Sequence, residues 1–423
     1  MIYKPVSAQF EITEGCTHRC VHCYNYFVDN RNSNPADEKI MHEIAKTNLF
    51  YVTITGGEPL KVRPSLFRAI EIFREAHMDV SINTNLHLLQ MDDVDRFKTS
   101  GIYSVLSSIL GPNAEIHDDI TRVKGSFDRL LKSLELVSNG GLKLGLNMVV
   151  NRKNLGLVYE TGKFLINTFG IRNFSATPMV PSIGKEGKNL MLDREEYIST
   201  LDSLLKLRKD FKIRVDSLHP AIPCMFNDAE LEKYRLFIEA RGCVASKGTI
   251  SFSPLGEVRV CSHERKAYGN ILFEPLEGIL EKMKEWSSNK LIPRECNPCA
   301  YIEKCRGGCR VSAEAIYGNL NAPDPYFIKP VKAKLPVINN EINDLKKIKI
   351  AKGEVRYRDE KDGCKIVYLN PRIFARLDTL EFEVLIRFQR GINYEEISKE
   401  MGNVKITDGV IKSLARKGLI IKN

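Results

Sequence analysis

The stretch Cys16-Thr17-His18-Arg19-Cys20-Val21-His22-Cys23-Tyr24 places three thiols in the spacing C-x-x-x-C-x-x-C, directly after the first predicted strand. A cubane [4Fe-4S] cluster has four irons and is held by cysteine thiolates, so three local thiolates leave one iron without a protein ligand. A zinc knuckle is the alternative, in which His18 or His22 completes a four-ligand site. The spacing predicts a metal centre at Cys16, Cys20 and Cys23, and by itself it leaves the metal open.

Short apolar runs alternate with amphipathic segments from Val6 to Met179. The strand-like runs are SAQFEIT, FYVTIT, DVSIN, SVLSSI, LGLNMVV and FSATPMV. The segments between them carry apolar residues three and four positions apart, which is typical of helices. Six strand and helix pairs in this order predict a parallel α/β sheet, either doubly wound or an incomplete barrel. In both architectures ligands bind at the carboxyl ends of the strands, where the cysteine triplet falls.

Composition and cysteine usage restrict the class of protein. The chain has 423 residues, of which 43% are hydrophobic and 27% charged. These values are typical of a globular protein with more than one domain. No secretory signal and no apolar run near the roughly 18 residues of a membrane span are visible, so we expect a cytoplasmic protein without a membrane partner. In a reducing compartment the 11 cysteines are expected to be metal ligands rather than disulfides.

A Gly56-Gly57-Glu58-Pro59 turn follows the second predicted strand. Two glycines allow the backbone to approach a ligand closely, and the carboxylate can accept hydrogen bonds from an ammonium group. Together with the cysteine triplet, this turn resembles the radical S-adenosylmethionine (SAM) enzymes, in which the open iron binds SAM and a GGEP motif holds its amino group. Tyr24 matches the aromatic residue that usually follows the third cysteine in that family.

The resemblance extends to the third and fourth strands. Asn85 matches the Thr-Asn that ends the third strand in that family, Ser108 matches its fourth-strand serine, and Arg122 matches the basic residue after it. By resemblance, Ser108 and Arg122 engage the SAM carboxylate, which a guanidinium can pair with in bidentate fashion. Strand-end capping or a surface ion pair is the alternative role for these three side chains. The sequence singles out no catalytic acid or base.

The cofactor-binding residues that the resemblance implies are Tyr24, Gly56, Gly57, Glu58, Pro59, Asn85, Ser108 and Arg122.

A second cysteine array begins at Cys243 and continues through Gly256 and Cys261 to a C-x-x-C-x5-C-x3-C pattern. This array resembles the SPASM domain, the extension of radical SAM enzymes that holds one or two auxiliary iron-sulfur clusters. A zinc ribbon is the alternative. The resemblance implies a first auxiliary set of Cys243, Cys261 and Cys309, and a second auxiliary set of Cys296, Cys299 and Cys305 that a distal cysteine completes.

The distal cysteine of that pattern is missing. The family usually has it in an Asp-Pro-x-Cys context, whereas this chain reads Pro323-Asp324-Pro325-Tyr326-Phe327. A phenylalanine side chain cannot ligate iron. The second cluster is expected to have an open site, to borrow Cys224 or Cys364, or to be absent. Free cysteine is commonly a small buried hydrophobe, which is the favoured interpretation of both spare cysteines.

The carboxy-terminal region is basic and predicts a separate small domain. From Lys329 to the end there are 21 Lys and Arg against 13 Asp and Glu, which favours an anionic partner. Beyond a linker-like stretch, strands and three helices form a winged helix-turn-helix pattern. This pattern is similar to the peptide-recognition element of ribosomal-peptide maturases, which binds a leader peptide at a sheet edge. DNA binding through the third helix is the alternative, and fusion to an enzyme core favours the peptide over nucleic acid.

The predicted architecture is α/β: a partial (β/α)6 TIM-like barrel at residues 1–215, a SPASM domain at 216–328, a linker at 329–350, and a winged helix-turn-helix domain at 351–423. The resemblance implies a maturase whose SAM-derived radical installs a crosslink or other oxidation in a ribosomally made precursor peptide with a leader. The expected cofactors are a [4Fe-4S] cluster, SAM and one or two auxiliary clusters, and the expected electron donor is a flavodoxin or ferredoxin.

Two other hypotheses remain from the sequence. One is a radical SAM enzyme that acts on a folded protein, as in sulfatase maturation, or on a tetrapyrrole. The other is a zinc-ribbon, winged-helix DNA-binding regulator that is not an enzyme.

Overall fold

The fold is that of a computed structural model, which describes residues 4–27, 34–181, 186–336, 348–351, 353–370 and 373–422. The chain divides into two units, Met1–Leu335 and Pro336–Asn423, and each has its own buried apolar core. The predicted boundary between residues 215 and 216 therefore lies inside the first unit.

A parallel sheet in sequence order organises the first unit. Its strands are β1 (Ser7–Glu11), β2 (Tyr51–Thr55), β3 (Asp79–Asn83), β4 (Ser104–Ser108), β5 (Leu144–Val150), β6 (Asn173–Pro178) and β7 (Arg214–Asp216). Each strand pairs in parallel with the next. The predicted parallel α/β sheet is confirmed. The unbroken strand order excludes the doubly wound alternative, in which the order reverses at a switch point.

Helices connect the successive strands, as parallel pairing requires. They are α1 (Glu38–Ala45), α2 (Arg63–Glu75), α3 (Met91–Thr99), α4 (Ala114–Thr121), α5 (Ser126–Gly140), α6 (Val158–Phe169) and α7 (Arg194–Phe211). In α2, Leu66, Phe67, Ile70 and Phe73 recur at three- and four-residue spacing, and all four are buried. This spacing gives the helix one apolar stripe, which it buries in the core of the unit.

The cysteine-rich region continues the same sheet beyond β1. Strands β8 (Thr249–Phe252), β9 (Glu257–Arg259) and β10 (Gly269–Asn270) give the described residues a ten-stranded sheet of order β10-β9-β8-β1-β2-β3-β4-β5-β6-β7. β8 runs parallel to β1, and the β8–β9 and β9–β10 pairs are antiparallel. This continuity explains why residues 1–335 form one unit. The helices of this region are α8 (Asp228–Lys233), α9 (Arg235–Ala240), α10 (Leu276–Lys282), α11 (Lys284–Ser287), α12 (Ile302–Cys305) and α13 (Arg310–Tyr317).

The second unit combines small antiparallel sheets with helices. Its described elements are β11 (Ile348–Ile350), β12 (Arg356–Asp359), β13 (Lys365–Asn370), β14 (Ile373–Leu377), α14 (Thr379–Gln389), α15 (Tyr394–Glu400), α16 (Val404–Arg416) and β15 (Ile420–Lys422). β12, β13 and β14 form one antiparallel sheet, and β11 pairs with β15. The end of the predicted linker is thus a strand, while its residues 337–347 lie outside the described residues. Within the described ranges, every helix is too short or too polar to cross a membrane.

A buried ion pair joins the end of β1 to β9. The Arg259 guanidinium donates to the Glu11 carboxylate, and the two side chains are only 3% and 5% exposed. Burial raises the pKa of Glu11 to about 7, although Arg259 opposes the rise. The pair fastens the strand that leads into the cysteine triplet to the cysteine-rich extension.

We expect Arg259→Met to destabilise the fold by about 3–5 kcal/mol at pH 8, because it leaves a buried carboxylate without its cation. A carboxyl group whose pKa is raised on folding stabilises the protein while it is protonated. The loss should therefore be smallest below the ordinary pKa of 4.5 and should grow as the pH rises through about 7. Urea unfolding at pH 5 and pH 8 measures the difference.

The matched control is the double variant Glu11→Gln/Arg259→Met, whose buried amide does not titrate. Its own free energy of unfolding should lack the fall that Glu11 causes between pH 5 and pH 8, so its deficit relative to the parent should not grow over that range. An equally large loss at pH 5 and pH 8 in the single variant would contradict the assignment.

Candidate active site and cofactor site

The cysteine triplet lies in the loop that follows β1, at the carboxyl edge of the sheet. Within the loop, the Cys23 N–H donates to the Cys20 carbonyl at 3.1 Å, so the last two cysteines share one turn. The end of α4 holds the loop from the side, where two carbonyls accept from the N–H groups of Arg19 and Val21 at 3.0 Å each. The thiols therefore stand on a backbone that neighbouring elements fix.

The glycine turn packs directly against the cysteine loop. The Gly57 N–H donates to the Thr13 carbonyl and the Glu58 N–H to the Gly15 carbonyl, both at 2.7 Å. A Cβ at Gly57 would collide with the Gly15 carbonyl, and one at Gly56 with the Thr13 carbonyl. Gly56 also has a φ of +131°, which disfavours any residue with a side chain. Both glycines are thus required by backbone packing.

The Glu58 carboxylate is fully buried and already partnered within the protein. One oxygen accepts from the Leu60 N–H at 2.9 Å and the Thr84 hydroxyl at 2.6 Å, and the other from the Asn85 N–H at 2.7 Å. Burial raises the pKa of this carboxyl group. The sequence suggested a carboxylate that accepts from an ammonium group. The same carboxylate braces the turn that begins at Pro59 against the loop after β3.

Asn85 faces the cysteine loop. Its side-chain amide donates to the Thr17 hydroxyl at 2.9 Å and lies 3.8 Å from the Cys16 sulfur. Its side-chain oxygen Oδ1 accepts from the His87 N–H at 2.9 Å. The next residue, Leu86, has a φ of +60°, a left-handed conformation that favours glycine. The loop after β3 is thereby bonded to the first cysteine of the triplet.

Ser108 precedes α4 in the chain, and Arg122 directly follows it. Ser108 is the last residue of β4 and is half-buried. Arg122 is exposed and ends α4 with a φ of +56°. The carbonyl of the preceding Thr121 accepts from the Arg19 N–H, so Arg122 directly follows a contact with the cysteine loop.

Tyr24 connects the triplet to the second cysteine array. Its hydroxyl hydrogen-bonds with the Thr55 side chain at the end of β2, and burial raises the pKa of the phenol. Its ring packs on His263, with centroids 5.1 Å apart. His263 lies two residues after Cys261, so the aromatic residue after the third cysteine touches the extension.

Cys243, Cys261 and Cys309, the first auxiliary set, come together in the structure. Burial is the main cause of the raised pKa of Cys243 and Cys261, and the nearby Cys309 sulfur raises both further. The Ser312 N–H donates to the Cys309 sulfur at 3.5 Å. Hydrogen bonds to sulfur are one means by which proteins adjust the potential of iron-sulfur clusters.

The second auxiliary set, Cys296, Cys299 and Cys305, lines one cavity together with Cys224 and Phe327. Cys224 is 7% exposed, and the sequence analysis favoured an ordinary buried role for it. No motif in the sequence points to it, although it is one of only two cysteines that lie outside every motif. The other, Cys364, lies in the second unit between β12 and β13.

The chemistry of these donor sets fits iron-sulfur clusters. Thiolates are the ligands that such clusters take, and all the motif cysteines are free thiols. Among the residues that the structure describes, no three His, Cys, Asp or Glu side chains form a group that could hold a single metal ion. A zinc site needs four ligands at about 2.0–2.3 Å from one ion, whereas the irons of a cluster each take a separate thiolate.

Comparison with protein families identifies the first part of the chain. Residues 10–164 match the model described as the Radical SAM superfamily. This range includes the cysteine triplet, the glycine turn, Asn85, Ser108 and Arg122.

Two relatives are similar over most of the chain. The AdoMet-dependent heme synthase of Methanosarcina barkeri is 26% identical over 347 residues, which cover 78% of this chain and 97% of the synthase. The mycofactocin maturase MftC of Mycolicibacterium smegmatis is 25% identical over 348 residues, which cover 77% of this chain and 83% of the maturase.

Solved structures share the fold. Native anSMEcpe with bound AdoMet aligns with a TM-score of 0.60 at 18% identity, over 76% of this chain and 94% of its own. Streptococcus suis SuiB bound to the precursor peptide SuiA aligns with a TM-score of 0.57 at 16% identity, over 79% of this chain and 77% of its own. Residues 10–164 are therefore a radical SAM domain, and the chain is a radical SAM enzyme whose cofactors are a [4Fe-4S] cluster and S-adenosylmethionine.

Proposed function

We propose that this enzyme is a peptide maturase, which oxidises or crosslinks a ribosomally made precursor peptide. The observation that carries the proposal is the second unit, Pro336–Asn423, a small body with its own core on the same chain as a radical SAM domain. A binding unit fused to an enzyme raises the effective concentration of a tethered substrate at a separate active site. The relatives support a peptide substrate in part, since one is a maturase and SuiB was solved with its precursor peptide.

The proposed cofactor site uses the carboxyl edge of the sheet. Cys16, Cys20 and Cys23 hold the cluster and leave one iron for SAM, and the Gly56–Pro59 turn lies against the amino end of SAM. Ser108 and Arg122 engage its carboxylate. When bound, the cluster and SAM supply a 5′-deoxyadenosyl radical that removes a hydrogen atom from the substrate. The chain binds and orients these groups and excludes water from them.

In this proposal, Glu58 and Asn85 hold the loops of the cofactor site in place. Glu58 accepts hydrogen bonds from Leu60, Thr84 and Asn85, so it fixes the turn against the loop after β3. Asn85 links this loop to the cysteine loop, because its side-chain amide donates to the Thr17 hydroxyl. A site whose residues are already fixed holds its ligands in the reactive orientation. The radical is then directed at one position of the substrate.

We expect Gly57→Ala to lower the affinity for SAM at least tenfold, or about 1.4 kcal/mol, because the new Cβ displaces the cysteine loop at Gly15. Iron bound by the triplet should fall with it. Calorimetric SAM titration and iron analysis of anaerobically reconstituted protein measure both.

The control is Gly409→Ala in α16, where a Cβ meets nothing within 4 Å. That variant should bind SAM like the parent. Unchanged SAM affinity in Gly57→Ala would contradict the role of the glycine turn.

The second unit offers a sheet edge to the leader peptide. Among the described residues, β12 and β14 are the outer strands of the three-stranded sheet. Tyr357 on β12 is 50% exposed, and its ring lies 4.6 Å from that of Phe382 on α14. An added strand gains affinity from main-chain hydrogen bonds and specificity from side-chain pockets. The excess of basic residues after Lys329 favours an acidic leader.

We expect removal of residues 336–423 to reduce peptide modification at least tenfold while leaving substrate-independent SAM cleavage within about twofold, because only docking is lost. Mass spectrometry of a precursor peptide encoded beside the gene, together with quantified 5′-deoxyadenosine, measures both activities. An external flavodoxin or ferredoxin provides the electrons in this assay.

Full modification by the truncated enzyme would exclude the docking role. As a control, the second unit supplied as a separate polypeptide should not restore modification at equal concentration, because the effective concentration from tethering is absent.

A tetrapyrrole substrate is the second candidate, and the match to the heme synthase favours it. That relative is matched over 97% of its length by 78% of this chain, so about a fifth of this chain has no counterpart in it. The second unit is of this size. A non-enzymatic DNA-binding regulator is set aside, because the chain is a radical SAM enzyme.

A further inference from the structure

The second auxiliary set is one thiol short of the four that a fully ligated cubane needs. Position 327, where the resemblance places the missing ligand, holds a phenylalanine. Its ring is half-buried and forms part of the wall of the cavity that Cys296, Cys299 and Cys305 line. The question is which group faces the set in its place.

Cys224 lines the same cavity. It lies about 70 residues before Cys296 in the chain, in the single 3-10 turn Pro223–Met225. Within the described residues, the cavity contains no other cysteine beyond the second auxiliary set. Four thiols from two distant segments thus converge on one space.

The Cys224 thiol occupies the neighbourhood of the missing ligand. Its sulfur accepts a hydrogen bond from the Ile328 N–H, one residue after Phe327. Asp324 fixes that segment, because its carboxylate accepts from the Cys309 N–H at 2.7 Å and from the Tyr326 N–H at 3.0 Å. Cys224 therefore contacts the loop that would otherwise carry the distal cysteine.

Hydrogen bonds and a proline hold the turn that carries Cys224. The Met225 N–H donates to the Ile222 carbonyl at 3.1 Å, and proline at 223 restricts the first position of the turn. The Met225 carbonyl in turn accepts from the Arg194 side chain at 2.6 Å. Supporting contacts of this kind orient the ligands of a metal centre.

We propose that Cys224 is the fourth protein ligand of a second auxiliary [4Fe-4S] cluster, together with Cys296, Cys299 and Cys305. The proposal rests on the auxiliary-cluster assignment made above. Four thiolates leave no iron open, so this cluster passes electrons and does not bind substrate. Cys364 is then the one cysteine of the chain without an assigned cluster.

The test removes the SAM-binding cluster first. In a Cys16→Ala/Cys20→Ala/Cys23→Ala parent, all remaining iron belongs to auxiliary clusters. We expect Cys224→Ala in this parent to lose between about one and four irons per chain and to change the electron paramagnetic resonance spectrum of the reduced protein. Cys364→Ala should match the parent in both measurements. Cys224→Ser, which is nearly the same size, separates ligation from packing and should also change the spectrum.

A rescue variant tests whether a thiol at position 327 can replace the Cys224 thiol. Phe327→Cys added to Cys224→Ala returns a thiol to the position where the resemblance expects it, and it should restore the parental iron and sulfide content. Parental iron and an unchanged spectrum in both Cys224 variants would overturn the proposal. A folded Cys224→Ala/Phe327→Cys protein that remains iron-poor would overturn it too, as would a parent without any auxiliary iron.

This experiment does not measure peptide modification. A wrong substrate assignment would leave the iron content and spectra as expected, so the two proposals fail separately.

Discussion

Backbone contact between the glycine turn and the cysteine loop is the constraint on which the cofactor site depends. No side chain can stand at Gly57, because the Gly15 carbonyl occupies the space that a Cβ would need. Two hydrogen bonds of 2.7 Å close this contact, and the buried Glu58 carboxylate extends it to the loop after β3. Asn85 in that loop donates a hydrogen bond to Thr17 in the cysteine loop. The positions of the three thiols therefore depend on loops that lie far away in sequence.

The parallel sheet could be predicted because its signals are local. Each of β1 to β6 coincides with an apolar run, and the cysteine triplet and glycine turn follow two of those runs directly. The attachment of β8 to β1 could not be predicted, since a four-residue strand does not encode a partner some 240 residues away. The location of Cys224 was missed for the same reason. Its segment carries no motif, and only tertiary packing brings it to the cavity beside Phe327.

Side-chain contacts and a shared sheet join the two cysteine regions. Tyr24 bonds to the end of β2 and packs on His263, while Glu11 and Arg259 pair between β1 and β9. These contacts, together with the shared sheet, couple the position of the extension to that of the loop that carries the triplet. Buried networks of this kind rigidify a fold because each member is costly to leave unpartnered.

The unclosed sheet has a consequence for how a long polymer reaches the site. In the part of the chain that the structure describes, β7 and β10 are the two outermost strands of the ten-stranded sheet and do not pair with each other. A closed barrel admits a polymer only through its mouth, so an internal segment has to enter as a bent loop. A sheet whose outermost strands do not pair with each other leaves an opening in the side of the ring of strands. For the peptide substrate proposed above, such an opening offers a route by which an internal segment enters the site without threading a terminus.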